Sequence, residues 1–275
     1  TPKVKKPLDK KVIAQPVLVF FVTFFVYLVL LLINGLIPFG ETYLLISDLK
    51  AQFAPYLILF KNHIRELDFS ALGSSFTYTT VLAGGKNFMG TFGYYMGSPL
   101  NWLVFLFEDY QIDYAIILII GTKISLAASF MSIFLRRRVA DKKSIWPVVF
   151  GITYGFTSYA IAFLFAIIWL DGYALLPLIL YFTEKLIDER KKAGLVVTLI
   201  LLFVSNLYVS YMVGIFSFFY LVFRLFYKVS IEQNMNIKQA VNTAIRFVLT
   251  AVICIFTLGI FTHKNNAKFK STSSE

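Results

Sequence analysis

Hydrophobic and polar positions alternate in long blocks along this chain. The first apolar block, "VIAQPVLVFFVTFFVYLVLLLINGLIPFG", is long enough to cross a bilayer, which takes about 20 apolar residues in a helix. Further blocks predict spans at about 114 to 135, 145 to 168, 172 to 188, 193 to 207, 209 to 226 and 240 to 261, seven in all. Pro177 is expected to kink the fourth. The stretch from Ala193 to Phe226 reads either as one long tilted helix or as a hairpin, because "SNLYVSY" puts polar residues at its middle, where a tight turn would expose them to water. The connection from about 37 to 113 is far longer than two helices need. Within it, 49 to 67 reads as an interfacial amphipathic helix that Pro55 bends or starts, and 98 to 109 as a helix too short to cross.

The pattern predicts an all-α integral membrane protein of about seven transmembrane helices. Residues 1–15 form a basic N-terminus, 16–261 the transmembrane domain, and 262–275 a polar tail expected to be disordered. Composition strengthens this reading: 58% hydrophobic residues, 15% charged residues and a mean hydropathy of +0.74 exclude a soluble globular domain. A secretory signal is the wrong reading of the N-terminus, since no small-residue cleavage site follows the apolar run. The single cysteine, Cys254, lies inside an apolar run and reads as packing.

Charge orients the spans. With the N-terminus in the cytoplasm, eighteen of the 26 basic residues fall in inner segments, in clusters such as Arg136–Arg137–Arg138 and Arg190–Lys191–Lys192. Seven fall outside and Lys123 lies within a span, which matches the positive-inside rule. The net charge of +11 is therefore mainly a topology signal for a multi-pass protein of the cell membrane, and nucleic acid is not an expected partner.

This orientation puts four scattered polar constellations on the outer side. They are Asp48 in "SDLKAQFAPY", the glycine-rich "LAGGKNFMGTFGYYMGSP", Asp171 in "WLDGYALLP", and Asn206 with Tyr208 in "SNLYVSY". The inner loops are short and basic. A site, on this pattern, faces outward.

In this order the four motifs resemble the N-terminal part of the bacterial YfhO family, membrane glycosyltransferases of the GT-C class, over about residues 16 to 260. The resemblance implies a GT-C-like fold and transfer of a sugar from an undecaprenyl-phosphate carrier to a cell-envelope polymer such as teichoic acid. It also implies that Asp48, the acidic residue of the first outer loop, is the catalytic base. Members of that family are much longer, so the resemblance implies a truncated form.

The residues suit that chemistry. A sugar hydroxyl attacking an anomeric carbon needs a carboxylate to take its proton. Inversion with a lipid phosphate as leaving group needs one base, not the carboxylate pair of a glycosidase. Lys86 is the first candidate for the leaving phosphate, ahead of Lys50 and Arg65, and the amides of Gly84, Gly85, Lys86 and Asn87 suit an anion nest. Asp171, Asn206 and Tyr208 complete the candidate substrate contacts. No cofactor follows from the residues, and His63 has no second ligand at metal spacing.

Each residue also has a reading in packing alone. Asp48 and Asp171 stand where helix caps belong, the glycines suit turns and close packing, and "SNLYVSY" suits a hairpin with interfacial aromatics. A non-catalytic membrane assembly protein or inactive fragment is the alternative function. A transporter or flippase fits less well, because Lys123 is the one clear ionisable residue within the spans.

Overall fold

The computed structural model of the protein describes residues 10–65, 88–141 and 143–272. Among these the regular elements are helices, with one isolated bridge between Leu36 and Thr42. Helix α1 (Lys10–Ile33) is apolar all round, yet its two faces differ. Val19, Thr23, Tyr27 and Leu31 recur every fourth residue and are buried, while Leu18, Phe21, Phe25 and Leu32 on other faces are exposed. In water that exposure would be costly, and in a bilayer it is the lipid-facing surface.

The buried stripe of α1 packs on α3 (Ile112–Arg138), the central helix of the fold. Tyr27 donates to the Ile117 carbonyl at 3.1 Å and Ser129 to the Pro16 carbonyl at 2.6 Å, so the two helices run antiparallel. Small residues let further helices close in on α3. On α4 (Trp146–Gly155), a Cβ at Gly151 would stand 2.8 Å from the Ala128 carbonyl, a separation only glycine permits.

Where a single span was expected at 145 to 168, the chain instead forms α4, an extended break at Thr157, the five-residue α5 (Ser158–Ala162) and a turn. The break is held by a polar contact: the Thr157 hydroxyl lies 2.8 Å from the Tyr173 hydroxyl on α6 (Trp169–Glu189). Helix α6 continues through Pro177. The chain then turns through α7 (Ala193–Ser205), α8 (Leu207–Ser230) and α9 (Ile237–Thr272). A tilted single helix over 193 to 226 is ruled out by Asn206, whose extended backbone separates α7 from α8. Helix α9 carries the backbone to Thr272, through most of the segment expected to lack order.

Among the described residues four helical stretches are long and apolar enough to cross a membrane: Ala14–Ile33, Asp109–Arg138, Leu207–Ser230 and Ile237–Phe256. The other expected spans are shorter or more charged. With 13 residues α7 is about 20 Å long, and α6 ends in the charged "EKLIDE".

Ion pairs gather one end of the bundle. Arg137 of α3 binds Asp188 and Glu189 of α6, each at 2.9 Å, and Lys228 of α8 binds Asp188 at 2.8 Å. Buried Glu184 accepts from Arg138, Tyr220 and Arg224 at 2.6, 2.6 and 2.8 Å. Helices α3, α6 and α8 thus run in one direction, with three separate basic segments meeting at their C-terminal ends. Their N-terminal ends carry the polar constellations.

Candidate functional site

Between α1 and α3 the described part of the long connection is built of short helical pieces. A π-helical turn (Leu49–Phe53) leads into α2 (Ala54–Arg65), whose first turn holds Pro55. After residue 87 come a helical turn (Phe88–Thr91), a π-helical turn (Phe92–Met96) and a 3₁₀ helix (Pro99–Leu106) started by Pro99. Lys61 fastens these pieces together: its ammonium is buried and lies 2.7 Å from Asp109 and 2.5 Å from the Phe107 carbonyl.

Five consecutive residues, Tyr94 to Ser98, connect three of the four constellations. At one end, Asn206 donates to the Tyr94 carbonyl at 2.7 Å while its own side-chain oxygen accepts from the Val209 amide at 2.8 Å, capping α8. Asn206 is fully buried, contrary to the water-exposed hairpin expected there, because both halves of its amide are satisfied within the protein. Tyr208 beside it is 48% exposed. A Cβ on Gly97 would overlap the Val204 carbonyl, so this glycine permits the loop to rest directly on α7. At the other end, Ser98 donates to Asp171 Oδ1 at 2.7 Å.

Asp171 lies in the first turn of α6 without capping it, since Ile168 is the N-cap. Its second oxygen receives Lys123 of α3 at 2.7 Å, and the ammonium also donates to the Ile167 carbonyl at 2.9 Å. Both side chains are buried. The isolated ionisable residue of the second span therefore has a partner 48 positions away, and both oxygens of Asp171 are occupied.

Asp48 is placed differently. It precedes the π-helical turn at the N-cap position but makes no side-chain capping bond. Its Oδ1 accepts from the Gln52 side-chain amide at 3.3 Å, and Oδ2 has no hydrogen-bond partner among the described residues. A carboxylate only accepts, so the Gln52 NH₂ must face Asp48 and its oxygen must face the Tyr95 hydroxyl 3.2 Å away. Burial, then Tyr56, Tyr94 and Asp48 nearby, push the Tyr95 phenol above its ordinary range. The half-buried Asp48 thus has one oxygen held by Gln52 and, among the described residues, no hydrogen-bond partner on the other.

Around this carboxylate the tyrosines are closely set. The Tyr56 and Tyr95 ring centroids are 4.3 Å apart, those of Tyr94 and Tyr95 4.6 Å, and those of Tyr94 and Tyr208 6.3 Å. Sequence reading missed Gln52, Tyr56, Tyr94, Tyr95 and Ser98 as members of the site. Only Gln52, one helical turn after Asp48, carried a usable signal. Gly84, Gly85, Lys86 and Asn87 lie outside the described residues. Lys50 and Arg65, the other candidate cations, are exposed.

A cavity of about 430 Å³ opens between α1, α3, α5 and the segments that follow α1 and α4. Leu30, Leu31, Leu36, Leu44, Phe156 and Ile161 supply most of its wall, with Asn34 the polar residue of the lining. Leu44, one of the lining residues, is four positions from Asp48, so their Cα atoms are at most ~14 Å apart.

Helices that expose leucine and phenylalanine outward, and charged or amide groups satisfied inside, define a polytopic helical membrane protein. Residues 19–270 match the family described as bacterial membrane protein YfhO, and the chain belongs to that family. No curated protein and no solved structure matches it.

Proposed function

We propose that the protein is a membrane glycosyltransferase that moves a sugar from a polyprenyl-phosphate carrier, undecaprenyl phosphate in bacteria, to a cell-envelope polymer such as teichoic acid. The supporting observation is Asp48: a half-buried carboxylate with Gln52 on one oxygen and no hydrogen-bond partner among the described residues on the other, the oxygen assigned to accept the proton of a sugar hydroxyl. Membership of the YfhO family favours the same reaction class. The apolar cavity near Leu44 suits an isoprenoid chain, with the sugar-bearing end toward Asp48. Lys86 and the amides of Gly84, Gly85 and Asn87 are assigned to the leaving phosphate, while Asp171 and Asn206 are assigned to the walls of the site and the exposed Tyr208 to substrate contact.

In this reading the N-terminus is cytoplasmic, all seven helical blocks cross or re-enter the membrane, and the Asp48 end faces outward. The gathering of three basic segments at the opposite end supports that orientation. The test is sugar transfer by right-side-out vesicles carrying the full chain, supplied with radiolabelled sugar on undecaprenyl phosphate and with teichoic acid outside. Label in the polymer is the expected result. Label that appears equally in vesicles without the protein contradicts the reading. A non-catalytic assembly role would leave Asp48 replaceable.

A further inference from the structure

We propose that the outward face of α9 holds an anionic phospholipid from the leaflet at the basic end of the bundle. Arg246 and Asn242 meet its phosphate, Lys238 adds charge at headgroup level, and Leu249 and Phe256 lie along its acyl chains.

The two sides of α9 differ in character. Thr243, Phe247, Thr250 and Cys254 recur at helical spacing and are buried, with the Cys254 sulfur 4.0 Å from the Val196 carbonyl of α7. Lys238, Asn242 and Arg246 recur every fourth residue on the other side and are exposed. None of these three side chains has an ion pair or hydrogen bond among the described residues. Helix α9 contains no acidic residue over its whole length. Glu232, in the preceding connection, is engaged by Asn234 at 2.6 Å and Lys228 at 3.6 Å.

The position of Arg246 along the helix makes this lack of a partner informative. Residues 231–236 join the ion-paired end of α8 to α9, so α9 enters the membrane from the basic end. The uncharged run 247–262 begins directly after Arg246 and rises about 24 Å, close to the thickness of the hydrocarbon layer. Arg246 therefore stands at the boundary of that layer, on a lipid-facing surface. A guanidinium does not give up its proton there, and it needs an anion beside it. Lipid phosphate is the anion present at that depth, and the guanidinium fork pairs with it through two parallel hydrogen bonds.

The order of residues on this face follows the order of groups in a phospholipid. Helical side chains lean toward the N-terminus, so Arg246 reaches back over Asn242 toward the headgroups, and Lys238 lies about 12 Å nearer the water. Beyond Arg246 the same face is apolar, with Leu249 and Phe256 exposed. A free phosphate ion has no use for that second half, and a zwitterionic lipid balances its own charge.

The test is electron spin resonance of the full chain in phosphatidylcholine vesicles that carry spin-labelled phosphatidylglycerol or spin-labelled phosphatidylcholine. Motionally restricted label reports lipid held at the protein surface. Phosphatidylglycerol should associate about fivefold more strongly than phosphatidylcholine, the preference expected of a basic contact near the membrane surface. Lys238→Gln combined with Arg246→Gln should lose most of that preference at an unchanged melting temperature. Arg246→Lys, which keeps the charge, should retain it. Lys143→Gln combined with Lys192→Gln, the same charge change at other exposed positions of that end, should also retain it. Equal association of the two lipids with the unaltered chain, or an equal loss in both double variants, would overturn the site. So would efficient cross-linking of Asn242→Cys between two chains in a Cys254→Ala background, because a second copy would then cover this face.

Discussion

Lys123 on α3 and Asp171 on α6 face each other across the helix interface at 2.7 Å, sealed from the surroundings, with Ser98 of the long connection on the carboxylate's other oxygen. One pair thus ties two helices to the loop that carries the candidate site. It also leaves neither oxygen of Asp171 without a partner, unlike Asp48, whose Oδ2 has none among the described residues.

Breaking that pair from one side should be costly. Lys123→Met strands a buried carboxylate and should destabilise the protein by about 3–5 kcal/mol. Lys123→Met combined with Asp171→Leu removes both charges and should recover most of the loss. Thermal unfolding in detergent micelles measures the difference, and equal melting temperatures for single and double variants would show that the two residues are not coupled.

Gly97 and Gly93 belong to one glycine-rich stretch but should respond differently to a methyl group. At Gly97 the new Cβ meets the rigid Val204 carbonyl, and Gly97→Ala should cost about 1–3 kcal/mol. At Gly93 the nearest atom is Leu207 Cδ1 at 3.3 Å, the far end of a flexible side chain, so Gly93→Ala should cost less. Denaturation midpoints of the two variants check the ranking.

Orientation can be read by thiol labelling. Cys254 is buried, and Cys254→Ala supplies a background for Glu41→Cys at one end of the bundle and Lys143→Cys at the other. An impermeant maleimide added to intact cells should label position 41 and spare position 143. The reverse pattern would turn the Asp48 end toward the cytoplasm.

Much of this architecture was legible in the chain because apolar runs in a membrane protein report helices directly. The positions of α1, α3 and α6 to α9 followed from run length. The break at Thr157 did not, because Gly155, Phe156 and Thr157 sit in an apolar block and the contact that holds them open, with Tyr173, lies 16 residues away. The same limit hid the Lys123–Asp171 pair. Each residue was conspicuous by itself, as a lysine in a span and an acid at a helix start, but periodicity carries no information about partners 48 residues apart. Asp48 was visible for a different reason, a carboxylate between two apolar runs, and Gln52 and Tyr95 needed the folded loop to be placed beside it.

The central claim is that Asp48 accepts the proton of an attacking sugar hydroxyl. Because its side chain makes no capping bond, Asp48→Asn preserves shape and should not change folding or membrane insertion, while the amide cannot take a proton at neutral pH. The decisive measurement is the rate of sugar transfer from undecaprenyl phosphate by membranes carrying the full-chain Asn variant, normalised to the amount of folded protein. A fall of roughly 10²-fold or more with unchanged insertion is the result expected of a positioned base. Transfer at the unaltered rate would contradict the account and reduce Asp48 to a structural residue.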